Sequence, residues 1–313
     1  MEQTELLRTN IESLPMGGLD TLELTLDLGN LVLADQVNES FDDLIRQARD
    51  VNGNLAPLKK CRHVLREGGK LRLCNPHPGV EDPAYVELQQ MLLRVAGFEN
   101  AIVSDHSSPR VMEAIRRPGI VEEQQYGMVV RELISPEDLA KAHEFARVYY
   151  FYKDFNYDLE VARQFDLHTH VFAVYDKANQ MVALSRSAMR VPGYNCPFMY
   201  ALTDAGVHYY VPARYHSIGE VMAIYKEGRD GVFAYKRLME FIVQYLYLIA
   251  LPDSIWTTYE GNDPFTGNLY KNKFKMEEMG VRLTYRDFGG KWNLLCTDKI
   301  EELHRLHRDL FRK

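Results

Sequence analysis

Residues 217–239, SIGEVMAIYKEGRDGVFAYKRLM, join three local patterns in an order that restricts the possible folds. The stretch 218–225 is apolar except at Gly219 and Glu220, which predicts a buried strand. The charged turn 226–231 follows and contains two glycines, which take positive φ at little steric cost. Apolar residues spaced three and four apart then predict a helix. Because the first N–H groups of a helix are unpaired and its dipole favours negative charge there, this strand–turn–helix predicts an anion site.

The composition is that of a folded protein with room for two domains. Of the 313 residues, 46% are apolar and 26% are charged. The net charge of -7 argues against broad nucleic-acid binding, which needs a basic surface. No apolar run approaches the roughly 18 residues of a membrane span, and the polar N-terminus lacks the apolar core of a signal peptide. The four cysteines form no CxxC pair, so we expect reduced thiols and a cytoplasmic location.

Strand and helix patterns alternate through residues 18–105, which predicts an α/β unit with a mostly parallel sheet. Gly97 predicts the C-cap of a helix that starts at Pro83. Two stretches, LKKCRHVLREGGKLRLCNP at 58–76 and LQQMLLRVAGFENAIV at 88–103, resemble the C-terminal half of a class I S-adenosylmethionine-dependent methyltransferase. The glycine-rich cofactor loop of that family is missing. The resemblance therefore implies a partial Rossmann-like domain over residues 1–118, without a cofactor loop. We expect a scaffold or partner-docking unit, with methyl transfer as the weaker alternative.

Residues 104–127 have the composition of a linker. Breaker residues lie at 107–109 and 116–119, and a polar run follows them. This composition shift predicts a domain boundary near residue 120, with a second domain over residues 119–313.

The second domain also alternates strand and helix patterns, and several of them have clear end signals. Ser135 and Pro136 predict the N-cap and the first residue of a helix. The turn 176–179 between two alternating apolar runs predicts a β-hairpin. The predicted elements are a strand at 126–133, a helix at 139–152, hairpin strands at 171–175 and 181–189, a strand at 218–225, a helix after 231, a strand at 254–259, a largely helical stretch at 262–279, a strand pair over 281–297 and a helix at 301–312.

Three of these pieces resemble the GNAT superfamily of acyltransferases. They are HVFAVYDKANQMVALSRSAM at 170–189, EVMAIYKEGRDGVFAYKRLM at 220–239 and NLYKNKFKMEEMGVRL at 268–283. The resemblance covers residues 126–297 and implies a GNAT-like mixed sheet with flanking helices. It also implies transfer of an acyl group from a thioester to a small-molecule amine. The implied acyl donor is acyl-CoA or the phosphopantetheine of an acyl carrier protein.

The family's cofactor motif is Arg or Gln, two residues, Gly, one residue, and Gly or Ala. Arg229 and Ala234 match its two ends, but Val232 stands where glycine is expected and Gly231 lies one place earlier. A pyrophosphate needs unpaired backbone N–H groups and nearby cations in any family. The resemblance implies that the following residues contact the cofactor: Ala223, Ile224, Tyr225, Arg229, Gly231, Val232, Phe233, Ala234 and Asn262.

Two residues are candidates for catalysis. Glu220 lies within an apolar strand, and the resemblance implies a general base for the amine at this position. The alternative is a structural carboxylate bound by its neighbours, because a buried carboxylate is costly unless it is paired. Tyr270 lies where the family has a tyrosine that protonates the leaving thiolate, although the family's later Gly-Phe is Lys273-Phe274 here. A tyrosine packed by its ring is the alternative in so aromatic a domain.

Two further patterns are less specific. His168 and His170 share one face of a strand, as metal ligands do, but no third ligand is evident nearby, so we expect no metal. Lys271, Lys273 and Lys275 alternate, and could meet a cofactor phosphate, an acidic carrier protein or only solvent.

The sequence predicts an enzyme, a GNAT-type N-acyltransferase. The aromatic loop 191–215 could wall a roomy apolar pocket. In its size and aromaticity the loop resembles the branch of the superfamily that makes long-chain N-acyl amino acids. Asp204, His208 and Arg214 lie in this loop and are candidates for binding the acceptor. The alternative function, favoured by Val232, is a catalytically weak GNAT-like module that binds an acyl thioester or a protein partner.

Overall fold

The computed structural model describes residues 4–7, 17–25, 55–75, 83–105, 110–117, 123–125, 127–166, 169–190, 201–207, 218–225, 228–245, 252–285 and 289–311. They fall into two compact units, the first with its described residues between 4 and 117 and the second between 123 and 311. Among the described helices, none has the length and apolar character that crossing a membrane requires.

The first unit is built around a five-stranded sheet. Its elements are β1 (Thr4–Leu7), β2 (Leu19–Thr25), α1 (residues 55–64), β3 (Leu65–Asn75), α2 (Pro83–Ala96), β4 (Phe98–Asp105) and β5 (Arg110–Arg116). The sheet order is β1-β2-β3-β5-β4, parallel from β1 to β3 and antiparallel on both sides of β5. The register partners Leu22, Leu71 and Ala114 are all buried, so the alternating pattern of the sequence forms a core face.

Two sequence predictions for the ends of elements in this unit differ in outcome. Gly97 is confirmed as the residue that ends α2, since its φ is 95° and its N–H donates to the Arg94 carbonyl at 3.0 Å. The predicted linker is wrong over residues 110–116, which form β5 and bury Val111 and Met112. Breaker residues on both sides of a short apolar run mark the ends of a strand as well as a linker. The methyltransferase-like interpretation of this unit stays a prediction.

The second unit is built around a nine-stranded sheet. Its elements are β6 (Glu123–Gln125), β7 (Met128–Leu133), α3 (Pro136–Tyr152), α4 (Leu159–Gln164), β8 (Thr169–Tyr175), β9 (Met181–Arg190), β10 (Leu202–Thr203), β11 (Ile218–Tyr225), α5 (Arg229–Tyr245), β12 (Ser254–Glu260), α6 (Pro264–Lys273), β13 (Glu277–Tyr285), β14 (Gly289–Thr297) and α7 (Ile300–Phe311). The sheet order is β10-β13-β14-β12-β11-β9-β8-β7-β6. The predicted α/β class, with a mixed sheet and flanking helices, is confirmed.

Local end signals in the second unit are confirmed in detail. Ser135 caps α3, because its hydroxyl accepts the N–H of Asp138 at 3.1 Å, and Pro136 follows it. The hairpin between β8 and β9 turns on Asp176, whose carboxylate accepts the N–H groups of Ala178 and Gln180 at 2.9 and 2.8 Å.

Helices α3 and α5 lie on opposite faces of the sheet. Tyr150 of α3 packs with Val171 and Ala173 of β8 in one buried cluster. Phe172, between those two residues, instead contacts Tyr245 of α5, with ring centroids 4.9 Å apart. Since successive side chains on a strand point to opposite faces, the two helices cover the two sides of β8.

Two predicted boundaries around the site are wrong. α5 already begins at Arg229, so the predicted turn 226–231 is too long, and Gly231 is helical while Gly228 takes a φ of 102°. The stretch 262–279 is helical only as far as Lys273, and residues 277–279 belong to β13.

Candidate active site

The large sheet divides between β11 and β12. These two parallel strands pair at three positions, Ile218–Ser254, Gly219–Ile255 and Glu220–Trp256. Beyond them, β11 stays in register with β9 and β12 stays in register with β14, so the strands separate only from each other. We call the gap between residues 221–225 and 257–260 the split. It opens at the carboxyl ends of two parallel strands, where open α/β sheets bind ligands.

The backbone of Glu220 lies at the fork of the split, opposite Trp256. The residue predicted as the base therefore belongs to the last pair before the strands separate. The side chains of Glu220, Ala223 and Ile224 lie outside the described part of the structure, so their roles stay predictions.

Of the predicted acceptor residues of the loop 191–215, only Asp204 lies in the described part of the structure. Asp204 forms an ion pair with Lys291 on the surface. His208 and Arg214 lie outside the described residues, as does most of this loop. The predicted apolar pocket walled by the loop therefore stays a prediction.

Helix α5 starts on a glycine, which offers no side chain of its own as a cap. The N–H of Val232 donates to the Gly228 carbonyl at 3.1 Å, which makes Gly228 the N-cap. Within the described chain, the N–H groups of Arg229, Asp230 and Gly231 have no acceptor. A Cβ built on Gly228 would meet nothing within 4 Å among the described residues, so the space beside this residue is open. Unpaired N–H groups at the positive end of a helix dipole form a site for an anion.

The start of α5, residues 229–234, carries five of the nine residues predicted to contact the cofactor. Arg229 is exposed, with its guanidinium carbon 5.6 Å from the centroid of the Phe233 ring, and it supplies a cation. Gly231 and Ala234 are buried against the protein, whereas Val232 is 43% exposed. Val232 therefore places an exposed side chain at the position where the acyltransferase cofactor motif has glycine. Asp230 places a negative charge in the same turn, which opposes the binding of an anion.

Tyr270 projects from α6 beside the split. The helix starts after Asp263, whose carboxylate accepts the N–H of Thr266 at 3.0 Å. Gly267 lets α6 approach β12, because a Cβ there would lie 2.5 Å from a ring carbon of Tyr259. Tyr270 faces the same packed interior and is only 2% exposed.

The environment of Tyr270 suits a proton donor. Burial raises the pKa of its phenol, and the neighbouring hydroxyl groups of Tyr235 and Thr257 offset part of that rise. Thr257 follows Trp256 on β12, so it is the first residue of that strand beyond the fork. The Tyr270 phenol is therefore protonated at neutral pH and lies at the split.

Further tyrosines converge on the same place from both faces of the sheet. The ring of Tyr225, at the end of β11, lies 4.9 Å from the ring of Tyr235 on α5. Tyr149 of α3 approaches from the other face. Burial raises its pKa, and so do its neighbours Tyr225 and Tyr270. The sequence predicted Tyr225 and Tyr270 in the site, but it gave no specific signal for Tyr149 or Tyr235.

Other predicted residues lie at the edge of this arrangement. Asn262 is exposed in the turn before α6. The Nζ atom of Lys271 lies 2.6 Å from a carboxylate oxygen of Glu278. Lys273 is exposed, and Lys275 is half-buried with a φ of 51°. Lys271 therefore has a structural partner, which makes it the weakest of the three lysines as a phosphate ligand.

His170 belongs to a buried acid–histidine pair. Its Nδ1 atom lies 3.0 Å from Oε1 of Glu132, and both side chains are 5% exposed or less. His168 lies outside the described residues. In the part of the chain that the structure describes, no three His, Cys, Asp or Glu side chains are grouped to hold a metal ion.

No protein-family model and no curated protein matches the sequence. Solved structures do resemble the chain. An N-acyl amino acid synthase from uncultured soil microbes matches over 58% of this chain and 97% of its own, with 12% identity and a TM-score of 0.44. A ribosomal-protein-S5-alanine acetyltransferase from Vibrio fischeri matches over 56% and 96%, with 12% identity and a TM-score of 0.41. A spermidine N-acetyltransferase from Vibrio cholerae matches over 58% and 99%, with 12% identity and a TM-score of 0.40.

All three names describe enzymes that form or transfer acyl or acetyl groups. At identities of 12% and TM-scores of 0.40 to 0.44, the activities of these enzymes do not carry over to this chain.

Proposed function

We propose that the protein is a GNAT-type N-acyltransferase, which moves an acyl group from a thioester to an amine. The split supports this proposal most strongly, because β11 and β12 separate after three residue pairs and leave a slot through the sheet. A helix whose N-cap is a glycine starts after β11, and a protonated phenol lies beside β12. The helix start suits the phosphate of an acyl thioester cofactor, the slot suits its pantetheine arm, and the phenol suits its sulfur.

The arm of coenzyme A or phosphopantetheine is a narrow chain that contains amide groups. Alternate backbone N–H and C=O groups of 221–225 and 257–260 face the split, because neighbouring residues of a strand bond to opposite sides. The amides of the arm bind them as an added strand would. Its phosphates then lie at the N–H groups that precede Val232, with Arg229 as the nearby cation.

The chemistry follows from the two candidates at this slot. Glu220 accepts a proton from the acceptor ammonium, and the amine nitrogen attacks the thioester carbonyl carbon. A C–N bond forms and the C–S bond breaks, with the electron pair left on sulfur. Tyr270 transfers its proton to that sulfur and is reprotonated through water as the acylated nitrogen loses its second proton, and Glu220 returns its proton to solvent. The products are an N-acyl amine and a free thiol.

The acyl donor is acyl-CoA or the phosphopantetheine of an acyl carrier protein, since both present the same arm and thioester. The acceptor is a small-molecule amine. Two carboxylates, those of Glu260 and Asp263, lie near Tyr149 at the mouth of the split and attract a cationic amine.

Thiol release measures the proposed reaction directly. The wild-type protein, given acyl-CoA or acyl carrier protein and a panel of amines, should release free thiol, and mass spectrometry should detect the N-acyl amine. Glu220→Gln should lower this rate by about 100-fold, because it removes the base and keeps the shape. An unchanged rate would remove Glu220 from the mechanism.

Arg229→Ala should weaken the binding of coenzyme A by about 3- to 10-fold, because it removes a cation beside a helix N-terminus. Calorimetry with coenzyme A and with pantetheine tests this, because pantetheine lacks the pyrophosphate and should bind both proteins equally. Arg147→Ala, which removes an exposed arginine from α3, is the matched control. Equal losses for both ligands would show that Arg229 does not meet the pyrophosphate.

The second candidate function is a module that binds a thioester without transferring its acyl group. Val232 favours it, because its exposed side chain occupies the face of the first turn where the motif has glycine. Calorimetric binding of an acyl thioester, with no thiol released for any amine in the panel, would establish this function in place of catalysis.

A further inference from the structure

The hydroxyl group of Tyr235 is buried and has no hydrogen-bond partner among the described residues. The side chain lies on α5 and is 4% exposed. A buried polar group without a partner costs free energy, so a folded protein that keeps one usually has a use for it. The same residue as phenylalanine would fill the space without that cost.

The surroundings of Tyr235 show where its hydroxyl is directed. Its ring packs on Tyr225 at the end of β11, with centroids 4.9 Å apart. Its hydroxyl lies beside that of Tyr270, close enough for each phenol to affect the pKa of the other. An unpaired donor thus lies next to the phenol that protonates the leaving sulfur.

The surroundings keep both phenols in their protonated form. Burial is the main cause that raises the pKa of Tyr235 well above its usual value, and the neighbouring Tyr270 raises it further. Burial raises the pKa of Tyr270 as well, but Tyr235 lowers it. Both phenols are therefore protonated at neutral pH, and each can donate a hydrogen bond to a nearby acceptor.

We propose that Tyr235 is a catalytic residue that donates a hydrogen bond to the leaving sulfur, beside Tyr270; this rests on the proposed function. As the C–S bond breaks, the electron pair stays on sulfur, and Tyr270 transfers its proton there. Tyr235 donates to the same sulfur without losing its proton. A fixed donor aimed at charge that develops only in the transition state lowers the barrier.

Tyr235→Phe tests this role through the leaving group. With an alkyl thioester, kcat should fall by about 10- to 100-fold and KM should change little, because the lost donor acts in the transition state. With an aryl thioester, kcat should fall by less than about 3-fold, because an aryl thiolate is a weak base that leaves without help. The ligand-free variant should not melt at a lower temperature, since it loses an unpaired buried hydroxyl.

Tyr175→Phe is the matched control, because it removes a phenol from a buried position on β8 outside the split. It should leave both thioester rates unchanged. Equal losses of Tyr235→Phe with the two thioesters, or no loss with either, would overturn the role of Tyr235 and leave the acyl transfer standing. A wild-type protein that releases thiol from neither thioester would overturn both.

Discussion

Tyr270→Phe is expected to lower kcat for acyl transfer from an alkyl thioester by about 100-fold, the usual contribution of a positioned proton donor. KM should change little, because the ring that packs against Phe274 stays in place. Steady-state thiol release measures both constants. An unchanged kcat would return Tyr270 to the role of a packed ring.

The same variant should also change the dependence of the rate on pH. Burial raises the pKa of Tyr270, so the wild-type enzyme keeps its acid protonated at neutral pH and loses it only as pH rises through that raised value. The wild-type kcat should therefore fall in alkaline solution, and Tyr270→Phe should not show this fall. An alkaline fall at the same pH in both proteins would assign it to another group.

The second large effect concerns stability. Glu132→Leu should lower the free energy of unfolding by about 3 kcal/mol, because it leaves His170 buried without its carboxylate. The double variant Glu132→Leu/His170→Leu should recover most of this loss, because both buried polar groups are then absent. Urea denaturation of the wild-type protein and the three variants, including His170→Leu, measures the coupling between the two residues.

An exposed ion pair provides the comparison. Glu144 and Arg147 lie on the surface of α3 with a shortest distance of 2.7 Å, similar to that of the buried pair. Glu144→Leu should leave the unfolding midpoint nearly unchanged, because water solvates whichever charge remains. If Glu132→Leu behaved in the same way, burial would not be what couples Glu132 to His170.

Sequence reasoning succeeded where a few neighbouring residues determine the structure. Ser135 and Pro136 begin a helix, and Gly97 ends one, through contacts within a single turn. The turn at Asp176 closes through bonds to residues two and four positions later. Such features are present in the local chain before any tertiary contact forms.

The features that were missed depend on distant parts of the chain. Nothing in the sequence near Glu220 shows that its pair with Trp256 is the last one between β11 and β12. The point of separation depends on the pairing of these strands with β9 and β14 on their outer sides. The meeting of Tyr149, Tyr235 and Tyr270 needs three helices to be packed first. The partner of His170 likewise comes from β7, not from the nearby His168 that suggested a metal site.

The split also gives the second unit a mechanical property. Its nine strands form two leaves, β6-β7-β8-β9-β11 and β12-β14-β13-β10, and the three residue pairs at Ile218, Gly219 and Glu220 are the seam between them. A long ladder resists rotation along its whole length, whereas a seam of three pairs lets the leaves turn about one end. The width of the slot can therefore adjust to its occupant while the pairing within each leaf stays intact.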